Sequence, residues 1–404
     1  MLYHAYQTYA DASEPIRAMA RAGVALGRMF NGVGNTGILQ SLSALLELTA
    51  RTKLIHTRPP YAIDRVIVAG NEVAVREEIA LSLPFCNLIR FAKDTQAVQP
   101  KMLVVAPLSG HFATLLRPTV ETLSRDHDVY ITDWKNARDV PLSQGPFGFD
   151  DYVDYVIKCL EHIGPDAHVL AVCQPCVQTL AAVAIMAEDR NPAQPLSMTL
   201  MAGPIDTRIS PTAVNKLATS HSIDWFKNNL ISRVPFSLPG AGRKVYPGFV
   251  QLTAFMSMNM QRHTNAHREI YNHLADGRVD EAEKIMSFYD EYFAVLDMPA
   301  EFYIETVQYV FQEALLARGK LTYRGRKVNP AAIRRTALLT VEGDRDDICA
   351  VGQTAAAHDL CKTLRPHLKR HHLQAGVGHY GTFSGKRWNG QIYPQIRNLV
   401  LAMS

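Results

Sequence analysis

Four continuous apolar runs constrain this chain more than any other feature: Met102 to Leu108, Val129 to Trp134, His168 to Cys173 and Ser197 to Ala202. None alternates with polar residues, and a helical pattern separates each from the next. A strand can be apolar on both faces only where both faces are covered, as in a parallel sheet sandwiched by helices. A fifth run, Thr336 to Val341, and a sixth, Arg370 to Ala375, follow after a long gap. The rhythm predicts right-handed βαβ units and a doubly wound, mostly parallel sheet of the α/β class. Shorter β-like runs precede them at Val66 to Ala69, Glu72 to Ile79 and Leu88 to Phe91.

Between Pro204 and about Arg335 the strand rhythm stops and the pattern turns mainly helical, with amphipathic stretches at Glu281 to Leu296 and Ala300 to Ala317. This predicts an inserted helical cap over 205–335, dividing a core of 61–204 and 336–404. Residues 1–60, with the pattern Ile16-Ala18-Met19-Ala22-Leu26 and glycines at 32, 34 and 37, read as an N-terminal helical arm. A hydrophobic share of 47% against 20% charged residues excludes a disordered or fibrous chain. The net charge of +4, from 42 basic and 38 acidic residues, carries no long single-sign run, so no nucleic-acid partner is expected. The basic cluster of Arg324, Arg326, Lys327, Arg334 and Arg335 reads as a solvated loop and helix start. Met1 to Arg17 holds Asp11 and Glu14 where a secretory signal needs an apolar stretch. No window approaches the ~18 apolar residues of a transmembrane helix. The expectation is a cytoplasmic protein whose six cysteines are free thiols.

The window His168-Val-Leu-Ala-Val-Cys-Gln-Pro-Cys-Val-Gln-Thr-Leu-Ala-Ala-Val reads as strand, sharp turn and helix, with Cys173 at the turn. A nucleophile elbow is such a turn: the side chain stands above the sheet and the next residue's N–H is free to stabilise an oxyanion. In this architecture an acid and then a histidine follow in chain order, each after a strand. Asp346 lies after the fifth apolar run, with Asp344 and Asp347 as neighbours, and His379 lies in the glycine-rich loop after the sixth. A thiol needs an imidazole to be ionised near neutral pH, and a carboxylate orients that imidazole. The predicted catalytic set is Cys173, Asp346 and His379. The oxyanion donors are expected to be the Gln174 amide and one from Pro107-Leu-Ser-Gly-His-Phe, Ser109 before Gly110. No metal or cofactor is called for by this chemistry.

These residues resemble the intracellular poly(3-hydroxybutyrate) depolymerases of bacteria. The likeness extends through the Met-Leu-Tyr start, Ala106-Pro-Leu-Ser-Gly-His-Phe-Ala-Thr-Leu-Leu-Arg117, Asp133-Trp-Lys-Asn-Ala-Arg138, Val172-Cys-Gln-Pro175, Met201-Ala-Gly-Pro-Ile-Asp-Thr-Arg208, Thr340-Val-Glu-Gly343 with Asp346-Asp-Ile348, and Gly378-His-Tyr-Gly-Thr-Phe-Ser-Gly385. The resemblance implies an α/β-hydrolase fold with a Cys-Asp-His triad, Cys173 as nucleophile, Asp346 as acid and His379 as base. It also implies amorphous polyester granules in the cytoplasm as substrate and partner, with homo-oligomerisation left open. The cap is then the natural lid, and Trp225, Phe226 and Phe236 are its candidate substrate contacts. The stripe Phe302, Val307, Val310 and Phe311 has helical spacing that reads first as core.

Four other readings compete. Cys173-Gln-Pro-Cys176 imitates a thiol-disulfide oxidoreductase motif, but such modules are smaller and leave the later Asp and His loops unused. No second cysteine pair completes a zinc site. A polyhydroxyalkanoate synthase-like acyltransferase would keep glycines around its cysteine, where this chain has Ala171 and Pro175. A non-catalytic granule-coat protein would need none of the three triad residues.

Overall fold

The computed structural model describes residues 54–404 apart from Asn259, together with Tyr3, Tyr6, residues 18–20, Ala22, Val24 and residues 44–47. The helical arm expected over 1–60 therefore lies mostly outside the described residues. Among the described residues nine strands form one sheet: β1 (Arg65–Val68), β2 (Asn71–Ser82), β3 (Cys86–Lys93), β4 (Lys101–Val105), β5 (Asp128–Trp134), β6 (Ala167–Val172), β7 (Ser197–Met201), β8 (Ala337–Gly343) and β9 (Lys369–Gln374). Their spatial order is β1-β2-β3-β5-β4-β6-β7-β8-β9, antiparallel through the β3–β5 pairing and parallel beyond it. This is the α/β-hydrolase fold.

The apolar runs become the central strands because each has nowhere else to go. Every residue of β6, β7 and β8 is buried, which only a sheet covered on both faces permits. The covering helices include α1 (Phe149–Ile163) and α2 (Cys176–Glu188). In α1 the apolar positions Tyr152, Val153, Val156, Leu160 and Ile163 line one stripe, and Asp150 and Asp151 sit in the first turn, where acids complement the helix dipole. In α2 every residue from Cys176 to Met186 is buried; its alanines let it press close to its neighbours. From β4 the chain passes first to β5 on one side and then to β6 on the other. That reversal opens a crevice at the carboxyl ends of β4 and β6, where doubly wound sheets place their sites.

Between β7 and β8 the chain is mainly helical, including Ala213–Thr219, Ile223–Leu230, Gly248–Met258, Met260–Ala275 and Val279–Tyr292. It also contains a three-stranded sheet of Ser232–Arg233, Lys244–Tyr246 and Met298–Pro299, which runs of two or three residues are too short to announce in sequence. The helix expected over Ala300 to Ala317 is α-helical only to Thr306 and continues as a π-turn to Gln312. There the Val310 carbonyl accepts from Thr207 Oγ1 at 3.1 Å, and Ala314 has φ of +47°; both divert the backbone from the α-ladder. The expected basic loop is the hairpin Thr322–Tyr323/Arg326–Lys327, whose Arg324 pairs with Asp151 and Asp154 and whose Arg326 pairs with Glu188 and Asp189. No helix among the described residues is long and apolar enough to cross a membrane.

A buried ion pair joins this segment to the loop after β5. Asp297 Oδ2 meets Arg138 Nε at 3.1 Å and accepts from the Tyr3 hydroxyl at 2.7 Å, while its Oδ1 accepts from the Gly248 amide at 2.9 Å. Both side chains are almost wholly excluded from solvent. Breaking a buried pair strands the remaining charge, at a cost of about 3–5 kcal/mol. Arg138→Ala is expected to lower the unfolding free energy read by urea titration accordingly, whereas Arg65→Ala, at the exposed pair with Glu72, is expected to change it by less than about 1 kcal/mol.

Candidate active site

The carboxyl end of β6 turns sharply into α2, and Cys173 occupies the turn with φ of +67°. A left-handed conformation at a non-glycine residue is costly and persists only where its surroundings hold it. Here the Cys173 amide donates to the Met201 carbonyl at 2.7 Å, and the Cys173 carbonyl accepts from the Cys176 amide at 3.1 Å. Gly203 supplies the necessary space: a Cβ there would stand 2.2 Å from Cys176 Cβ and 3.0 Å from the Cys173 carbonyl oxygen. Its amide donates to Thr354 Oγ1 at 2.8 Å, and that hydroxyl donates back to the Gly203 carbonyl at 3.0 Å.

The acid and the histidine arrive from β8 and β9. Asp346 Oδ2 lies 2.8 Å from His379 Nδ1, and its Oδ1 accepts from the amides of Ile348 and Cys349 at 2.9 and 2.8 Å. With three hydrogen bonds and a side chain closed to solvent, the carboxylate has one orientation. Asp344, the neighbouring candidate, does something else. Its Oδ1 accepts from the Gly376 and Val377 amides at 2.7 and 3.2 Å, tying down the start of the histidine loop. Glu342 accepts from the amides of Gly352, Thr354 and Ala355 and so shapes the turn that presents Thr354 to Gly203.

His379 is hydrogen-bonded to Asp346 and lines the same cleft as Cys173. Burial alone would favour its neutral form, but the negative charge of Asp346, the sulfur of Cys173 and the hydrogen bond to Asp346 hold its pKa well above the ordinary histidine value. Cys176 differs in kind. Its Sγ donates to the Ala171 and Met201 carbonyls at 3.4 and 3.6 Å, and burial pushes the thiol well above its usual range. The six cysteines are free thiols, and of them only Cys173 is partly exposed.

A narrow cleft brings Cys173 and His379 together with Ser109, His111, Phe112, Leu115 and Phe255, among others. The loop carrying Ser109 is held from below at Ala106. Its carbonyl accepts from Trp134 Nε1 and from the Tyr152 hydroxyl, each at 2.8 Å, and its amide donates to Thr132 Oγ1 at 2.9 Å. Register places Val105 opposite Ala171, so this loop leaves the sheet beside the Cys173 turn. The amides of Gln174, Ser109 and Gly110 have no backbone carbonyl partner among the described residues.

The three aromatic residues expected to contact substrate do not line this cleft. Phe226 is buried in a separate cluster with Ala218, Ile304 and Val307, Trp225 packs on His221, and Phe236 is 95% exposed. Phe255 takes the cap's place in the wall. Helical periodicity marks an apolar face without saying which surface it meets, so nothing in the sequence distinguished Phe255 from Phe226. Phe302, Val307 and Val310 are core, as their spacing suggested.

The family model described as "PHB de-polymerase C-terminus" matches residues 202–404. The chain belongs to the PHB depolymerase family. This depolymerase is accordingly an ester-bond hydrolase, and the matched half includes Asp346 and His379 but stops short of Cys173. A search of curated proteins returned no match. Among solved structures, the depolymerase is similar to a 2-hydroxy-6-oxo-6-phenylhexa-2,4-dienoate hydrolase from Rhodococcus sp. strain RHA1, at 13% identity over 81% of this chain and 99% of that one, with a TM-score of 0.44. It is also similar to a hydrolase from Pseudomonas aeruginosa PA01, at 14% identity over 83% and 98%, with a TM-score of 0.41. A thermophilic esterase from Thermogutta terrifontis matches at 12% identity over 83% and 98%, with a TM-score of 0.39.

The Gly203 contact yields a prediction. Gly203→Ala forces its methyl group into the Cys176 side chain and is expected to destabilise the fold by about 1–3 kcal/mol, as overpacking does, and to lower activity. Cys176→Gly in the same chain removes the opposing atoms and is expected to restore part of both, read by thermal unfolding and by turnover.

Proposed function

We propose that the depolymerase hydrolyses the ester bonds of poly(3-hydroxybutyrate) in amorphous cytoplasmic granules, with Cys173 as nucleophile, His379 as acid and base and Asp346 as its orienting carboxylate. The observation that carries this reading is a cysteine at a strained strand-to-helix turn that shares one cleft with a histidine held by a buried aspartate. In such an arrangement His379 takes the thiol proton of Cys173, giving a thiolate beside an imidazolium. The thiolate attacks the ester carbonyl, and the resulting oxyanion is held by the amides of Gln174 and Ser109. As the carbon–oxygen bond breaks, the imidazolium gives its proton to the departing alkoxide, leaving a thioester on Cys173 and a free alcohol. His379, now neutral, takes a proton from water, whose oxygen attacks the thioester. Collapse of that second intermediate releases the hydroxyacid and regenerates the thiolate beside the imidazolium.

Family membership supports the polymer as substrate, and the mostly apolar wall of the cleft suits a polyester chain. Phe236, which does not line the cleft and is almost fully exposed, is better placed to meet a granule surface than a single ester. Phe236→Ala is expected to slow release of 3-hydroxybutyrate from granules while leaving hydrolysis of a short soluble ester unchanged; equal rates on granules would remove it from the surface contact.

The test of the nucleophile is release of 3-hydroxybutyrate by single variants under reducing conditions. Cys173→Ala is expected to be inert, and Cys176→Ala, which changes a buried thiol outside the cleft, to stay active. Loss of activity in both would mean that the two thiols act together. The pH dependence follows from the raised pKa of His379. The working ion pair needs the imidazolium, so kcat/KM is expected to fall on the alkaline side with an apparent pKa above the usual histidine value of about 6.5. Asp346→Asn removes the charge that favours the imidazolium and is expected to move that limb toward lower pH. An alkaline limb unmoved by Asp346→Asn would contradict the pairing.

A further inference from the structure

The mechanism gives His111, one of the polar side chains lining the cleft, no role. His111 follows Gly110 in the loop after β4, lines the same cleft as Cys173 and His379, and is 4% exposed. Its ring is stacked against Tyr292, with centroids 4.8 Å apart, and Phe255, at 5.8 Å. Its backbone is fixed as well: residue 111 bridges to Val295, and the Gly110 carbonyl accepts from the Leu296 amide at 2.9 Å. The cleft is therefore lined by an imidazole that cannot readily turn away.

Burial pushes the pKa of His111 down to about 4, against the opposing pull of a hydrogen bond to the Tyr292 carbonyl, so the ring is neutral at neutral pH. A neutral imidazole has one donor nitrogen and one acceptor nitrogen. The carbonyl of Tyr292 can only accept, so it engages the ring's single N–H. What remains is a bare lone pair, and among the described residues no hydrogen bond to Nε2 offsets the cost of burying this ring.

The substrate contains few groups that could satisfy such an acceptor. Within a polyester chain every unit offers only ester oxygens, which accept, and the carboxylate end also only accepts. The terminal hydroxyl is the polymer's one donor. Resting on the ester-hydrolase reading of this site, we propose that His111 is a specificity residue that accepts a hydrogen bond from the terminal 3-hydroxyl of the unit being transferred to Cys173. Cleavage of short chains is thereby directed to the hydroxyl end, where the unit released from the thioester is the free hydroxyacid monomer.

Two dimeric substrates test this, 3-hydroxybutyryl-3-hydroxybutyrate and butyryl-3-hydroxybutyrate, which differ by one oxygen atom. They are compared with wild type, His111→Phe, which keeps the aromatic stacking, and His111→Asn, which keeps a polar group. Wild type is expected to favour the hydroxylated dimer by about tenfold in kcat/KM, as one hydrogen bond to a buried acceptor allows. In His111→Phe that preference is expected to vanish, through a loss on the hydroxylated dimer alone, and in His111→Asn it is expected to return in part. Turnover of the butyryl dimer with a thioester on Cys173 tests the ester-hydrolase reading separately, since it needs no hydroxyl. The inference is overturned if wild type does not distinguish the dimers. It is equally overturned if His111→Phe slows both alike while the thioester accumulates, which would make the attacking water the partner of His111.

Discussion

The left-handed turn at Cys173 is the constraint on which the rest of the site depends. A sulfur can stand above a parallel sheet at the mouth of its crevice only if the chain reverses within one residue of β6, and for a side chain with a Cβ that reversal is strained. The strain is held by atoms from three other places in the sequence: the Met201 carbonyl, the absent side chain of Gly203, and the Thr354 hydroxyl that fixes Gly203 on both its amide and its carbonyl. Glu342 in turn shapes the turn bearing Thr354. The cysteine's placement is thus a property of β6, β7 and β8 together, not of the local motif.

A second set of contacts brings partners to that sulfur. Asp344 ties down the loop carrying His379, Asp346 holds the imidazole, and Ala106, fixed by Thr132, Trp134 and Tyr152, sets where the loop with Ser109 and His111 leaves the sheet. Two acids separated only by Arg345 therefore do different work, Asp344 on the backbone of the histidine loop and Asp346 on the ring. The electrostatics follow the same division. Cys176 and His111 are buried without a compensating charge and stay neutral, whereas His379 is buried beside a carboxylate and a sulfur and is driven toward its charged form.

Five of the six parallel strands were legible because a strand buried on both faces must be apolar throughout, whereas the sixth, Lys369–Gln374, is polar and only partly buried and was marked by its place after the fifth. Cys173, Asp346 and His379 were legible as strand-end residues in the order this fold uses, and the structure brings the aspartate and the histidine into contact and the histidine to the cysteine. Gly203 and Thr354 were not legible. Their roles arise from contacts between segments about 150 residues apart in the chain, which no local pattern encodes. The aromatic residues between β7 and β8 show the same limit: Phe226 and Phe255 both sit on helices, yet one packs within that segment and the other reaches the cleft. The short strands at Ser232–Arg233, Lys244–Tyr246 and Met298–Pro299 depend on one another across the segment and carry no periodicity of their own.

The central claim is that an acyl group passes through the sulfur of Cys173. Rapid acid quenching of the enzyme during turnover of a short 3-hydroxybutyrate ester, followed by mass analysis of its peptides, measures this directly. A hydroxybutyryl adduct on the peptide containing Cys173, released by hydroxylamine and lost when the substrate is exhausted, is the predicted result. Turnover with that peptide unmodified throughout, or with the adduct on another residue, would contradict it.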